Sequence, residues 1–387
     1  MRHRNVYGRA WVWRALGAGA VVAAVGLTPV ASSGAGASVT SRAVSDSSAL
    51  TLNGAGSTFD QPFFTLGFYE YHQKIDPSVT VNYASIGSGG GQGQIEANTV
   101  NFGATDVPMF SSDLAKATAG TIVQVPIDLG GEAISYNVKG LPQGLHLTGP
   151  VLAEIYLGQI ANWDNSALKK LNPKVNFPNE SITVVHRADG SGTSYAFTNY
   201  LADISSTWQS KVGVGKTVAW PVGVGGQGNE GVAGLVADTP GSIGYVELDY
   251  ALKNHFTYFA MRNPMGAFVL PSKASVAADA ALHPGVSPTN FKIDNLGHSK
   301  AAYPICTYSW LAIYQKQTNA SAGTAMVDLF EWMTHGGQKY AGELDYVPLP
   351  SVVQATAEQA LSTIVGPSGQ KLLTKAAIAK YGVPSGK

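Results

Sequence analysis

Apolar positions along this chain alternate between two periods, and the alternation is its first structural signal. The stretch TLNGAG reads as a short strand, and from Pro62 to Ile75 the residues Phe64, Phe68, Tyr71 and Ile75 fall at i, i+4, i+7 and i+11. That spacing gives a helix one apolar face for packing on a sheet. The strand VTVNYASIG and a helix from about Gln92 to Asn98 follow. The middle of the chain repeats the pattern. TIVQVPI and EAISYNV are expected as strands, LAEIYLGQI as a helix, SITVVHRA as a strand, and Thr193 to Ile204 as a helix with Phe197, Leu201 and Ile204 on one side. A Gly-rich stretch, PVGVGGQGNEG, leads into the helix VAGLVADT and the strand SIGYVEL. Residues 262–303, interrupted by Pro264, Pro271, Pro284 and Pro288, are expected to be loop-rich. The strand SWLAIYQK and the helix AMVDLFEWMTHGG close the pattern, with Val327, Phe330 and Met333 on the core side. Strands alternating with helices in this way make an α/β protein.

With 387 residues the chain exceeds the ~250–300 at which a single core stops growing, so two lobes are expected. Lys plus Arg and Asp plus Glu stand at 25 each, so there is no basic field to hold a nucleic acid. Arg2, Arg4, Arg9 and Arg14 precede an uncharged run from Ala15 to Ser41 whose apolar centre is Ala20 to Leu27. This reads as a signal peptide ending at residue 37, with Ala35 and Ala37 as the small residues of the cleavage site and Ala31 as the alternative. The apolar run is too short for the ~20 residues of a membrane span, and Pro29 interrupts it. Residues 38–49 are small and polar and are expected to be a disordered link. Cys306 is the only cysteine, so no intrachain disulfide forms, and a buried, inert thiol is expected.

Three segments share one design, an apolar strand that ends in Gly and hydroxyl residues just before a helix: GAGSTF (54–59), IGSGGGQG (86–93) and HRADGSGTS (186–194). Each puts free backbone N–H groups and hydroxyls at a helix N-terminus, where an anion is favoured. Any one of them, taken alone, reads as plain helix capping. Arg187 in the third adds a planar fork suited to a tetrahedral oxyanion, and Asp189 either holds that fork or simply turns the chain before Gly190. Asp106, ahead of Pro108, reads first as a strand-end turn carboxylate.

Taken together, GAGSTF, SIGSGGGQGQI, VNFGATDVP, VVHRADGSGTS and VGGQGNEGV resemble the periplasmic phosphate-binding proteins of phosphate-specific ABC transporters, from about Leu52 to the C-terminal DYVPLP. The resemblance implies a two-lobed Venus-flytrap fold, each lobe a mixed sheet flanked by helices, with two hinge crossings. It places residues 50–129 and 306–387 in lobe 1 and 130–305 in lobe 2. Carried over motif by motif, it implies that phosphate is bound by Thr58, the Phe59 amide, Ser88, Asp106, Arg187, Ser191, Gly192 and Thr193, with Asp189 in support. A carboxylate facing an oxyanion at ~4 Å costs about 4 kcal/mol at an effective dielectric of 20, so Asp106 is useful only when the ligand brings a proton. Phosphate does so near neutrality and sulfate does not.

Other motifs carry less. Gly223 to Gly228 spells G-x-G-x-x-G before a helix, but Trp220-Pro221 interrupts the strand ahead of it. Gly215-Lys216-Thr217 imitates the end of a P-loop whose first Gly is replaced by Ser210. His186 is expected to be a satisfied strand residue, and the eight His show no metal-ligand spacing. Neither a metal, a cofactor nor catalysis is expected. The implied partners are inorganic phosphate and the permease subunits of an ABC importer, with the protein a monomer in a periplasm or released to the medium. A binder of sulfate or molybdate and an exported phosphatase are the rival readings.

Overall fold

The computed structural model describes residues 49–283, 285–291 and 299–382, so the expected signal peptide and all but the last residue of the expected linker lie outside the described residues. The first half-sheet follows from the β-α-β alternation. Strand β1 (Leu50–Gly56) runs parallel to both β2 (Val79–Ser85) and β3 (Phe102–Thr105). Helix α1 (Gln61–Lys74), opened by Pro62 in its first turn, connects β1 to β2.

Helix α2 (Ser88–Glu96) begins four residues before the expected Gln92. Three consecutive glycines argue against a helix by propensity. Packing overrides this, since a Cβ on Gly91 would sit 2.4 Å from the Gly56 Cα and 2.6 Å from the Ala55 carbonyl, so only glycine lets α2 lie against β1.

The two strands expected at 121–138 are one continuous strand, β4 (Ile122–Asn137). The Gly130-Gly131 pair within it is no break; a Cβ on either would strike Phe59 at 2.6 Å or Val276 at 2.7 Å. Ile122 to Gly131 of β4 pair antiparallel with β8 (Cys306–Tyr314), and Glu132 to Asn137 pair antiparallel with β7 (Ser242–Glu247). Strand β5 (Thr183–Arg187) lies parallel between β7 and β6 (Val224–Gly226). The strand order is therefore β2-β1-β3-β8-β4-β7-β5-β6, with β4 common to both halves.

Each half buries its own apolar cluster. One is built around Phe63, Phe64, Phe102, Leu311 and Phe330, the other around Tyr136, Tyr156, Trp163, Phe197 and Tyr245. Helices α3 (Gly149–Tyr156), α4 (Gly192–Ile204) and α5 (Gly228–Asp238) flank the second half. Helices α6 (Ala320–Thr334), α7 (Ser351–Leu361) and α8 (Lys375–Tyr381) come after β8.

Val327, Phe330 and Met333 are fully buried, as their spacing predicted. The span 262–303, expected to be loop-rich, nonetheless holds a short strand at Phe268–Val269 and a helix at Lys273–Ala280 capped by Ser272. Cys306 is buried, with its sulfur 3.2 Å from the Tyr303 carbonyl. Among the described residues no helix is long and apolar enough to cross a membrane.

Candidate anion-binding site

The three Gly and hydroxyl turns converge. Gly56 ends β1 at φ +145°, where a Cβ would lie 2.0 Å from the Ala104 carbonyl, and this close approach carries Ser57 and Thr58 to the end of β3. Ser88 opens α2, Asp106 follows β3, Arg187 ends β5, and Ser191 caps α4 by accepting from the Ser194 amide at 3.0 Å. The side chains of Thr58, Phe59, Ser88, Asp106, Arg187, Ser191 and Thr193 are all buried, and Asp189 is partly so.

Hydrogen bonds join the turns into one network. Thr193 Oγ1 donates to Asp106 Oδ2 at 3.0 Å and accepts from Arg187 Nη1 at 3.3 Å. Ser57 Oγ donates to Asp106 Oδ1, which Ser309 Oγ also approaches at 3.4 Å. Ser88 Oγ accepts from the Asp106 amide at 3.3 Å and the Gly192 amide at 3.0 Å. Thr58 Oγ1 accepts from both the backbone and the side-chain nitrogen of Asn229, each at 3.0 Å.

The Ser88 and Thr58 hydroxyls thus have both acceptor positions taken by N–H donors, so each can use its own proton only as a donor. Such preset donors suit an acceptor-only ligand.

The Phe59 amide turns to Ser57 Oγ at 3.0 Å, while its ring packs edge-on against Tyr346. Asp189 forks onto Arg187, with Oδ1 accepting from Nε at 2.7 Å and Oδ2 from Nη2 at 2.5 Å. Of the two roles open to Asp189 in the sequence, the structure contains the pairing. Asp189 Oδ1 also accepts from the Gly228 amide at 3.1 Å. The G-x-G-x-x-G segment is therefore a device that brings α5 up to Asp189: a Cβ on Gly226 would strike the Gly231 carbonyl carbon at 2.6 Å. Lys216, from the P-loop-like Gly-Lys-Thr, reaches Gln92 and lies 3.5 Å from Asp113. His186 stacks on Trp220.

The electrostatics follow from burial and partners. Burial opposes the charge on Arg187, but Asp189 more than offsets this and keeps it above its ordinary value. Arg187 in turn overcomes the burial of Asp189 and holds that carboxyl below its usual range. Burial raises Asp106; Ser57, Arg187, Thr193 and Ser309 pull it back without cancelling the rise. One shell behind, Asp60 and Asp128 are fully buried and raised far more, first by burial and then by neighbouring carboxylates.

Ser57, Asn229, Ser309, Asp60 and Asp128 were not singled out in the sequence. Ser57 and Asn229 lie inside GAGSTF and VGGQGNEGV, so those motifs carried their signal; Ser309 and Asp128 sit in apolar strands with none.

Comparisons with known proteins fit this geometry. A phosphate-binding protein PstS of Xylella fastidiosa is 42% identical over 320 residues, covering 81% of this chain and 86% of the relative. One from Methanocaldococcus jannaschii is 35% identical over 315 residues, covering 76% and 80%. The chain belongs to the PstS phosphate-binding protein family. Residues 36–335 also match a family model described as a PBP superfamily domain. Among solved structures, the high-affinity periplasmic phosphate-binding protein PfluDING superposes with a TM-score of 0.65 at 20% identity, covering 87% of this chain and 100% of that one. A phosphate-binding protein from Stenotrophomonas maltophilia gives 0.64 at 19%, covering 84% and 99%. At such identities the likeness is one of fold, the two-lobed α/β fold of periplasmic binding proteins that the sequence led us to expect.

Proposed function

We propose that this protein captures inorganic phosphate outside the cytoplasmic membrane and delivers it to the permease of an ABC importer, without catalysis. The observation that carries the reading is the pairing of opposites in one buried site. Hydroxyls that can only donate, Thr58 and Ser88, stand in the same network as an acceptor, Asp106. Donors alone would serve any oxyanion. A carboxylate among them requires a guest with a proton to give, which HPO₄²⁻ and H₂PO₄⁻ have and sulfate lacks.

In this reading Thr58, Ser88, Ser191 and Arg187 donate to the phosphate oxygens, the Phe59 and Gly192 amides and the Thr193 hydroxyl give up their bonds to Ser57, Ser88 and Asp106 to do the same when the anion enters, Asp106 accepts the phosphate O–H, and Asp189 holds Arg187 flat. Hydrogen bonds to a charged group contribute ~1.5–3 kcal/mol each. The names of the relatives support phosphate as the ligand.

We assign residues 50–129 and 306–387 to lobe 1 and 130–305 to lobe 2. The change of β4's partner between Gly131 and Glu132 and the start of β8 at Cys306 support the two crossings. Opening by hinge motion at these strands admits the anion. Four arginines followed by an uncharged, apolar run support export by a signal peptide, and the mature protein then works as a monomer in a periplasm.

Calorimetric titration with phosphate, arsenate, sulfate and molybdate tests the proposal. One phosphate per chain, with sulfate and molybdate bound at least a hundredfold more weakly, is the expected result. Preferential sulfate or molybdate binding, or turnover of a chromogenic phosphate ester, overturns it.

A further inference from the structure

The side chains of Glu331, His335 and Glu358 take no part in the anion network, yet they converge. Glu331 lies in the last turn of α6 and His335 is the residue that caps its C-terminus, four positions on. Glu358 comes from α7, which packs against α6. One ligand atom from each of the three residues lies within 4.8 Å of the other two. Ligands about a tetrahedral zinc, bound at ~2.0–2.2 Å, stand about 3.4 Å apart, so small side-chain rotations close the set.

Two features set this cluster apart from an ordinary acidic patch. The Glu331 side chain is fully buried, and neither of its oxygens accepts a hydrogen bond from the described residues. Its nearest basic neighbour is His335 Nδ1 at 3.4 Å, and that nitrogen lies closer, at 2.8 Å, to the Glu331 backbone carbonyl. Donation from Nδ1 to the carbonyl fixes the tautomer and leaves the lone pair on Nε2, which is itself buried without a partner among the described residues. A histidine whose second nitrogen donates to a backbone carbonyl is the usual form of a metal ligand.

An ionised carboxylate buried without donors is costly unless a cation meets it. Glu358 is only partly buried, so the cluster has a side open to solvent through which an ion could enter and a water could complete its shell.

We propose that Glu331, His335 and Glu358 bind one Zn²⁺ ion and so tie α6 to α7. The imidazole favours zinc over calcium or magnesium, which prefer oxygen ligands throughout. Two carboxylates balance the charge of the ion. The eight scattered His gave no hint of this in sequence because the third ligand comes from another helix.

The test uses the full mature chain, stripped with chelator in phosphate-free buffer and titrated with Zn²⁺. One ion per chain, a melting temperature several degrees higher, and an X-ray absorption edge with a nitrogen and oxygen shell are expected. His335→Gln and Glu358→Gln should each weaken zinc binding at least tenfold and leave phosphate binding unchanged. Zinc affinity that survives both substitutions, or a melting temperature indifferent to zinc, overturns the site and leaves Glu331 and His335 as a buried pair. The partly buried Glu358 keeps the test valid should the His335 variant fold poorly.

Discussion

Asp106 and the Asp60–Asp128 pair are both withdrawn from water, yet their surroundings differ. Asp106 receives hydroxyl protons from Ser57 and Thr193, with Ser309 nearby, and feels the charge of Arg187. Among the described residues the only hydroxyl that acts on the deeper pair is Ser309 beside Asp60, and each carboxyl is the other's hydrogen-bonding neighbour. Two carboxylates can bond to each other only through a proton. The contrast shows how burial beside other carboxylates pushes a carboxyl toward its neutral form, while burial with donors keeps it an acceptor able to read a ligand's protonation.

The largest test of this contrast removes the charge that serves Asp106. Arg187→Ala should weaken phosphate binding by ~2–5 kcal/mol, some thirtyfold to several thousandfold, because it also strands the buried Asp189. Calorimetry showing an affinity within about threefold of the parent would separate Arg187 from the site.

Next comes Thr193→Val, which deletes a donor to Asp106 and an acceptor for Arg187. A loss of ~1.5–3 kcal/mol in phosphate affinity is expected from the same titration.

The deeper pair is probed by pH. Its carboxyls are raised above their unfolded values. The folded state therefore binds more protons, and their contribution to stability is full below the unfolded pKa near 4 and lost as pH rises through the higher folded value. Asp128→Asn should accordingly gain stability relative to the parent as pH climbs from about 4 to 8, by roughly 1–3 kcal/mol at the upper end. Denaturation curves whose difference does not change with pH would contradict the shared-proton account.

The smallest effect is expected for Asn229→Ala. It leaves the backbone amide on Thr58 and removes the side-chain donor to Thr58, together with the acceptor of the Glu247 amide behind the site, a loss of ~0.5–1.5 kcal/mol in affinity. An unchanged affinity would show that the amide alone orients the Thr58 hydroxyl.

How much of this was legible in sequence depended on whether a residue's role was local. Thr58, Ser88, Asp106, Arg187 and Thr193 sit on short turns, each written contiguously, and the structure draws those turns into one network. Asn229 and Ser309 act through strands and helices that meet only in the fold. Asp128, just ahead of Leu-Gly-Gly, gives no sign that it faces Asp60. Glycine misled twice. The runs at 89–91 and 130–131 look like punctuation, yet they lie in a helix and a strand because their neighbours leave no room for a Cβ.

The central claim is that Asp106 selects a protonated guest. Competition calorimetry on Asp106→Asn measures this directly, through the ratio of phosphate to sulfate affinity. Removing the carboxylate's charge should lower that ratio at least tenfold, with sulfate gaining more than phosphate loses. A ratio equal to the parent's would contradict the account.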